Sequence, residues 1–315
     1  MRNIFVVNPA AGQGAGNVQF IEKIREASKK LGIDVEIYTT KGVKDGTVFV
    51  KETCEKADAD EQLRFFACGG DGTFNEVVNG VYGFENAACG VVPIGTGNDF
   101  IRNFGDASFF SDIELQLRGI EKKIDLIKYT SEYKGDIVSG YCANMFNIGF
   151  DANVVDETNI LKKKPFISGS LAYLLGVATM FIKKKGADLK IEVDGQTVHS
   201  GRLLLCAIAN GCFCGGGIKG IPKAVTDDGL MDISIVNNVS RLTFAMLFTK
   251  YVKGTHLETK AGNKIVKYLQ KSNVTITSLG HPMRMCVDGE MMDSDKLMLE
   301  NKALAVKFIL PLGIA

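Results

Sequence analysis

The chain lacks a dominant charge: 37 basic residues stand against 36 acidic ones, a net charge of +1 over 315 residues. That balance argues against a nucleic-acid partner and leaves any attraction to an anionic surface to local clusters. Histidine is scarce, with three in all, and none lies close in sequence to the lone C-x-C at Cys212 and Cys214. Zinc is therefore not expected there, and both thiols read as plain buried side chains. The eight cysteines are scattered without the spacing of a disulfide framework, which fits a reducing cytosol. No apolar run reaches the ~20 residues that a spanning helix needs, so a transmembrane protein is not expected. The longest such tract is LAYLLGVATMFI at 171–182. The opening MRNIFVVNP carries one arginine and a short apolar run ending at Asn8 and Pro9, the pattern of a first strand rather than a signal peptide. Internal repeats and low-complexity linkers are absent, and no Gly-Lys-Ser/Thr of a P-loop follows any strand-like segment.

What is present is an alternation. Strand-like runs at 4–7, 35–39, 64–68 and 90–94 are separated by helical patterns at 18–30, 47–56 and 74–81, with another helix expected from about Asp99. Phe74, Val77, Val78 and Val81 make the i, i+3, i+4, i+7 stripe of a helix packed on a sheet. Such βα alternation implies a parallel sheet with ligands outside the carboxyl ends of its strands, where the glycine-rich turns lie. After about Asp125 the texture becomes β-rich, with strand-like segments at 137–145, 188–193, 201–209, 231–236, 273–278 and 283–287. Leu189, Ile191 and Val193 alternate with Lys190, Glu192 and Asp194, as in a half-buried antiparallel strand. Helical stretches at 171–183 and 241–253 interrupt this part, and the last apolar run, 303–310, can pair back onto either domain. The expected organisation is an α/β domain over 1–127, rejoined by 300–315, and a β-rich domain over 128–299.

Three glycine-rich turns carry the chemistry. FACGGDGTFNEVVNG, 66–80, is a strand, a tight turn and a helix start. Gly69, Gly70 and Gly72 allow close approach of a ligand to the backbone, and the helix start offers unpaired N–H groups to an anion. Asp71 at its centre would repel a bare phosphate and so suggests a divalent cation between them; the alternative is Asp71 or Thr73 as a helix cap. CGVVPIGTGNDFIR, 89–102, repeats the design with Thr96, Asn98 and Asp99, again with a capping aspartate as the alternative. NPAAGQGAG, 8–16, follows the first strand and fits the dinucleotide pattern G-x-G-x-x-G poorly. Without a P-loop lysine, neutralising a nucleotide's charge would fall on Mg²⁺ held by carboxylates, directly or through water. Asp288, Gly289 and Glu290 end an alternating strand, and this turn can present both acids toward one cleft or be a solvated loop.

Together these segments resemble the diacylglycerol kinase catalytic-domain family, which includes bacterial diacylglycerol kinases and YegS-type lipid kinases and has sphingosine and ceramide kinases as eukaryotic relatives. GGDGTFNEVVNG and PIGTGNDFIR carry the resemblance, supported by NPAAGQG (8–14), NIGFDA (147–152), GGGIKGIPKAVTDDGLMD (215–232) and VDGE (287–290). NAD kinases share GGDGT, but the EVVNG continuation and GTGNDF favour lipid kinases. The resemblance implies a doubly wound α/β nucleotide-binding domain followed by an antiparallel β-sandwich-like domain. The implied activity is transfer of a γ-phosphoryl group from ATP to a lipid hydroxyl, most simply diacylglycerol to phosphatidic acid. Another lipid, a soluble acceptor as in NAD kinases, or a silent sensor are the alternatives. It further implies ATP contacts at Asn8, Thr40, Gly69, Gly70, Asp71, Gly72, Thr73, Phe74, Asn75 and Thr96, and a water-linked catalytic Mg²⁺ network at Asp71, Asp99 and Asp125. A structural Mg²⁺ would lie at Val225, Asp228 and Leu230, where only the aspartate offers a side-chain ligand. The base would be Glu290, with Asp288 as partner or competitor.

Lys162, Lys163 and Lys164, with Lys183, Lys184 and Lys185, bracket the apolar stretch at 165–182. Basic clusters beside an apolar helix can draw a protein onto anionic lipid, which would suit a cytoplasmic enzyme with a bilayer-borne substrate; a core helix with solvated lysines is the alternative. The sequence leaves the oligomeric state, a homodimer included, open.

Overall fold

A computed structural model of the chain describes residues 1–13, 17–95, 97–149 and 186–314. The chain divides into two compact units, Met1–Leu126 with Ala303–Ala315, and Ile127–Lys302. In the first unit, β1 (Arg2–Val7), α1 (Asn17–Leu31), β2 (Val35–Thr39), α2 (Asp45–Lys56), β3 (Leu63–Gly69), α3 (Asp71–Val81) and β4 (Ala87–Pro93) follow in order. A short 3₁₀ turn, Phe100–Phe104, then α4 (Ala107–Ser111) and α5 (Ile113–Leu117) lead into β5 (Ile120–Tyr133). The strands are parallel in the order β2, β1, β3, β4.

Strand alternation sorts the core of this unit. Phe5, Val7, Phe66, Cys68 and Val92 share one buried cluster with Ile24 of α1 and Ile113 and Leu117 of α5. The intervening Ile4, Val6, Phe65 and Ala67 are also buried, on the opposite face. Both faces are thus covered, as a parallel sheet requires. The helix expected from Asp99 is instead the 3₁₀ turn, ended by Gly105 at φ 126. Phe100 and Phe104 of that turn pack with Phe74 of α3 around Phe308, with ring centroids 5.0 to 5.6 Å apart. This aromatic cluster fixes the elements that follow the two glycine turns, and truncating a buried ring such as Phe308 costs ~3–5 kcal/mol.

The second unit continues β5 and adds β6 (Asp136–Cys142), β7 (Met145–Gly149), β8 (Ala187–Val193), β9 (Gln196–Ala209) and β10 (Met231–Asn237). Then come α6 (Arg241–Lys253), a 3₁₀ turn at His256–Glu258, α7 (Lys260–Ile265), β11 (Val266–Lys271), β12 (Asn273–Ser278), β13 (Met283–Val287), β14 (Glu290–Ser294) and β15 (Lys296–Leu310). The order β14, β13, β7, β9, β8, β12, β15 is antiparallel throughout, with β10 pairing β9 and β11, and β6 pairing β5. The single strand expected over 137–145 is two, β6 and β7, parted at Ala143 and Asn144. The last apolar run belongs to β15, which pairs antiparallel with β12 and, after Ala303, parallel with β4 at Lys307 and Phe308. The helix expected at 171–183 and the lysines at 162–164 and 183–185 lie outside the described residues. Among the described residues, no helix is long and apolar enough to cross a membrane.

Candidate active site

In the first unit, the carboxyl ends of β1 to β4 bring the predicted nucleotide residues onto one edge. Asn8 follows β1: its N–H donates to the Cys68 carbonyl at 3.0 Å and its Nδ2 to Thr73 Oγ1 at 3.0 Å. Thr40, buried, follows β2 and donates its N–H to the Val7 carbonyl at 2.9 Å. Gly69 closes β3, and its carbonyl accepts the N–H groups of Ile94 (2.9 Å) and Gly95 (3.1 Å), so the two glycine turns are tied to each other. A Cβ on Gly69 would fall 2.2 Å from Thr73 Oγ1, and one on Gly95 would fall 2.6 Å from Gly70 Cα. Only glycine permits that approach.

The capping alternative for both aspartates gives way to a different arrangement. Gly70 is the N-cap of α3, with no side-chain cap bond, and Asp71 is its first residue. Asp71 Oδ1 instead reaches the other turn and accepts the Asp99 N–H at 2.8 Å. Asp99, buried, caps nothing with its side chain and lies 3.7 Å from Arg102 Nε. Gly97 sits between the acids: a Cβ there would lie 2.7 Å from Asp71 Oδ2 and 3.8 Å from Asp99 Oδ2. Two carboxylates thus border one gap kept open by a missing side chain, at the positive end of the α3 dipole.

The remaining nucleotide candidates divide. Gly70 and Gly72 lie in the turn and first helical residues, and Asn75, half-buried, accepts from Asn79 Nδ2 at 3.1 Å. The Phe74 ring is buried in the aromatic cluster, which leaves its main chain alone for any ligand contact. Thr96 lies outside the described residues. Asp125, fully buried on β5, accepts the Leu304 N–H at 2.7 Å and so holds a left-handed residue, φ 49, in β15. Glu76, from the EVVNG continuation, accepts the Lys44 and Gly46 N–H groups at 2.8 and 2.9 Å, and so caps α2 from the neighbouring helix.

In the second unit, Asp288 and Gly289 form a two-residue hairpin turn between β13 and β14, both at positive φ (44 and 93). The turn separates the acids rather than presenting both. Asp288 is buried, and its carboxylate accepts the N–H groups of Ala143 (2.8 Å), Asn144 (3.0 Å) and Met145 (3.0 Å) together with the Cys142 thiol (3.0 Å). Glu290 is exposed. Asp228 Oδ1 accepts the Leu230 N–H at 3.0 Å across the turn at Gly229, and the Leu230 carbonyl accepts from Asn301 Nδ2 at 3.1 Å. Val225 is 45% exposed. Asp232 beside them is fully buried, accepts the Tyr268 hydroxyl at 2.7 Å, and is pushed up to about 6, first by burial and further by the Asp228 charge. Among the described residues, no three Asp, Glu, His or Cys side chains gather to hold a metal ion, so a cation at either place would rely on fewer carboxylates with main-chain oxygens or water. Cys212 and Cys214 are half-buried rather than buried, and the Cys212 thiol donates to the Ala224 carbonyl at 3.3 Å.

An apolar cleft in the same unit was not legible in the sequence. Phe244, Leu247, Phe248 and Tyr251 of α6 face Leu204, Leu205 and Val236 across a small cleft of about 30 Å³, open in part to solvent. His256, 2% exposed, lines it, and neither ring nitrogen has a hydrogen-bond partner among the described residues.

Residues 2–129 match the diacylglycerol kinase catalytic domain, and residues 144–308 match the YegS C-terminal NAD kinase beta sandwich-like domain. The chain belongs to the diacylglycerol kinase and YegS family of lipid kinases. The chain is 29% identical to a diacylglycerol kinase of Staphylococcus carnosus over 287 residues, covering 90% of this chain and 87% of that one. It is 25% identical to a diacylglycerol kinase of Bacillus subtilis over 288 residues, covering 90% and 88%. A crystal structure of a candidate diacylglycerol kinase from Bacillus anthracis superimposes with a TM-score of 0.76 at 25% identity, covering 100% of this chain and 96% of that one. As a member of this kinase family, the protein is an enzyme that phosphorylates an alcohol acceptor.

Proposed function

We propose that this kinase transfers the γ-phosphoryl group of ATP to the hydroxyl of diacylglycerol, giving phosphatidic acid. The observation that carries the reading is the tied pair of glycine turns, in which Asp71 and Asp99 border the gap at Gly97 beside the N-terminus of α3. The residues present fit Mg²⁺: two carboxylates share an opening that a Cβ would fill, and Asp71 and Asp99 would hold it, with Asp125 the third acid of the family pattern. When bound, Mg²⁺ offsets the negative charge of the phosphates in transfer. The backbone N–H groups of the glycine turn and α3 receive the phosphate oxygens, and Asn8 fixes Thr73 at their side. Glu290, exposed on its hairpin, accepts the proton of the acceptor hydroxyl, while Asp288 locks the turn through the four hydrogen bonds its carboxylate accepts. The exposed Asp228, with the carbonyls of Val225 and Leu230, would hold a second, structural cation, which would also relieve the buried charge of Asp232. The relatives named diacylglycerol kinase favour a lipid over a soluble acceptor. Action in the cytoplasm at the membrane face, with the lysines at 162–164 and 183–185 drawing the chain to lipid, completes the proposal.

Two variants assayed side by side test it. Asp71→Ala is expected to fold normally and lose transfer, and retained activity would contradict the role given to that carboxylate. Glu290→Gln is expected to lower kcat by about 10²- to 10⁴-fold with ATP affinity unchanged. A defect confined to binding would remove Glu290 as the base.

A further inference from the structure

The outward face of α6 has no role in the site described above. At 3.6 residues per turn, Leu242, Met246, Thr249, Lys250 and Lys253 fall on one stripe, opposite Phe244, Leu247, Phe248 and Tyr251, which line the cleft. Leu242 is 71% exposed and Met246 60%, and both lysines are exposed as well. The helix carries no carboxylate. From 241 to 267 the cations Arg241, Lys250, Lys253, Lys260, Lys264 and Lys267 stand against the single acid Glu258, in a chain whose total charge is +1.

The charge pattern selects the occupant. A protein partner would have to cover two large apolar side chains and supply carboxylates along a narrow stripe. An anionic bilayer does both at once: its acyl boundary takes Leu242 and Met246, and its phosphates take the lysines one and two turns further on, whose long stems let the ammonium groups reach the headgroups. The inner apolar set is satisfied over the cleft, which leaves the outer pair, Leu242 and Met246, with its lysines to meet an interface.

We infer that α6 is a membrane-docking helix that seats the second unit on an anionic lipid surface through Leu242, Met246, Lys250 and Lys253. The proposal uses none of the lysines at 162–164 and 183–185. It rests on the lipid-kinase reading only for its purpose, and vesicle binding and catalysis can be measured apart.

The test uses the full chain, sedimented with phosphatidylglycerol-containing vesicles and with pure phosphatidylcholine vesicles. Association is expected with the anionic vesicles only, falling as salt rises. Lys250→Gln with Lys253→Gln should weaken it about 30-fold at low salt. Leu242→Ser with Met246→Ser should weaken it comparably. Both pairs are on the surface, so the melting temperature should hold, as should activity on a dispersed short-chain diacylglycerol. The sequence has no tryptophan, so Met246→Trp places a lone reporter on the stripe, and its emission should shift to the blue on anionic vesicles. Undiminished vesicle binding in both double variants, or an unshifted emission from the reporter, would overturn the proposal, including the outcome in which this face instead binds a protein. Loss of vesicle binding in both double variants of a protein that phosphorylates no lipid would uphold the docking helix and refute the kinase reading.

Discussion

Gly97→Ala is the sharpest probe of the paired turns, because one methyl group separates geometry from charge. The backbone at Gly97 is not left-handed, so alanine suits its conformation, but the new Cβ would lie 2.7 Å from Asp71 Oδ2. Ordinary contact begins near 3.4 Å, so the carboxylate or the turn must give by about 0.7 Å. Asp71 is held by the 2.8 Å bond from the Asp99 N–H, and yielding means stretching or losing it. A displacement approaching 1 Å at a reacting site costs on the order of 10²-fold in turnover, or ~3 kcal/mol of transition-state stabilisation. The fold should lose less than about 1 kcal/mol, since the change lies in a turn outside the core. Gly83→Ala is the control: its φ of 91 strains any side chain, but nothing lies within 4 Å. It should cost ~1–2 kcal/mol of stability and leave turnover per folded molecule unchanged. Steady-state phosphoryl transfer, nucleotide titration and urea denaturation of the three proteins decide the matter. Wild-type turnover in Gly97→Ala would refute the idea that the gap between Asp71 and Asp99 is where charge is handled.

Two further expectations concern the second unit. Asp288→Asn puts an NH₂ group where the carboxylate meets N–H donors from three residues, so it should destabilise the protein by ~2–4 kcal/mol, read as a lower urea midpoint. An unchanged midpoint would return Asp288 to candidacy as a free acid. His256 is held down to about 4, chiefly by burial. The unfolded chain therefore binds a proton there that the folded chain does not, and stability falls as pH drops from about 6.5 toward 4, by roughly 3 kcal/mol in full. His256→Phe should remove that part of the acid dependence, and an identical pH profile of the urea midpoint would contradict the assignment.

The parallel strands of the first unit were legible within a residue or three because both faces are buried and their apolar runs are continuous. Helix α6 was legible to the residue, since Ser240 caps it and Gly254, at φ 75, ends it. Strand β5 was not, because Glu121, Lys122, Lys123 and Asp125 break its apolar pattern. β11 and β14 are short and polar, and their partners rather than their own residues make them strands. In the site, the glycines marked both turns, but not that Asp71 reaches across to Asp99, since that bond joins residues 28 apart. The inward turn of Asp288 depends on N–H groups 143 to 145 residues away, which no local pattern contains. Glu76 carried the family resemblance while its observed contacts cap α2, so a motif letter need not mark a ligand contact.

The most direct measurement incubates the purified chain with γ-labelled ATP, Mg²⁺ and a mixed lipid extract, with NAD in a parallel reaction, and identifies the products by mass spectrometry. The expected result is label in phosphatidic acid, absent with Asp71→Ala and absent from the NAD reaction. Label in NADP, or in no lipid at all, would contradict it.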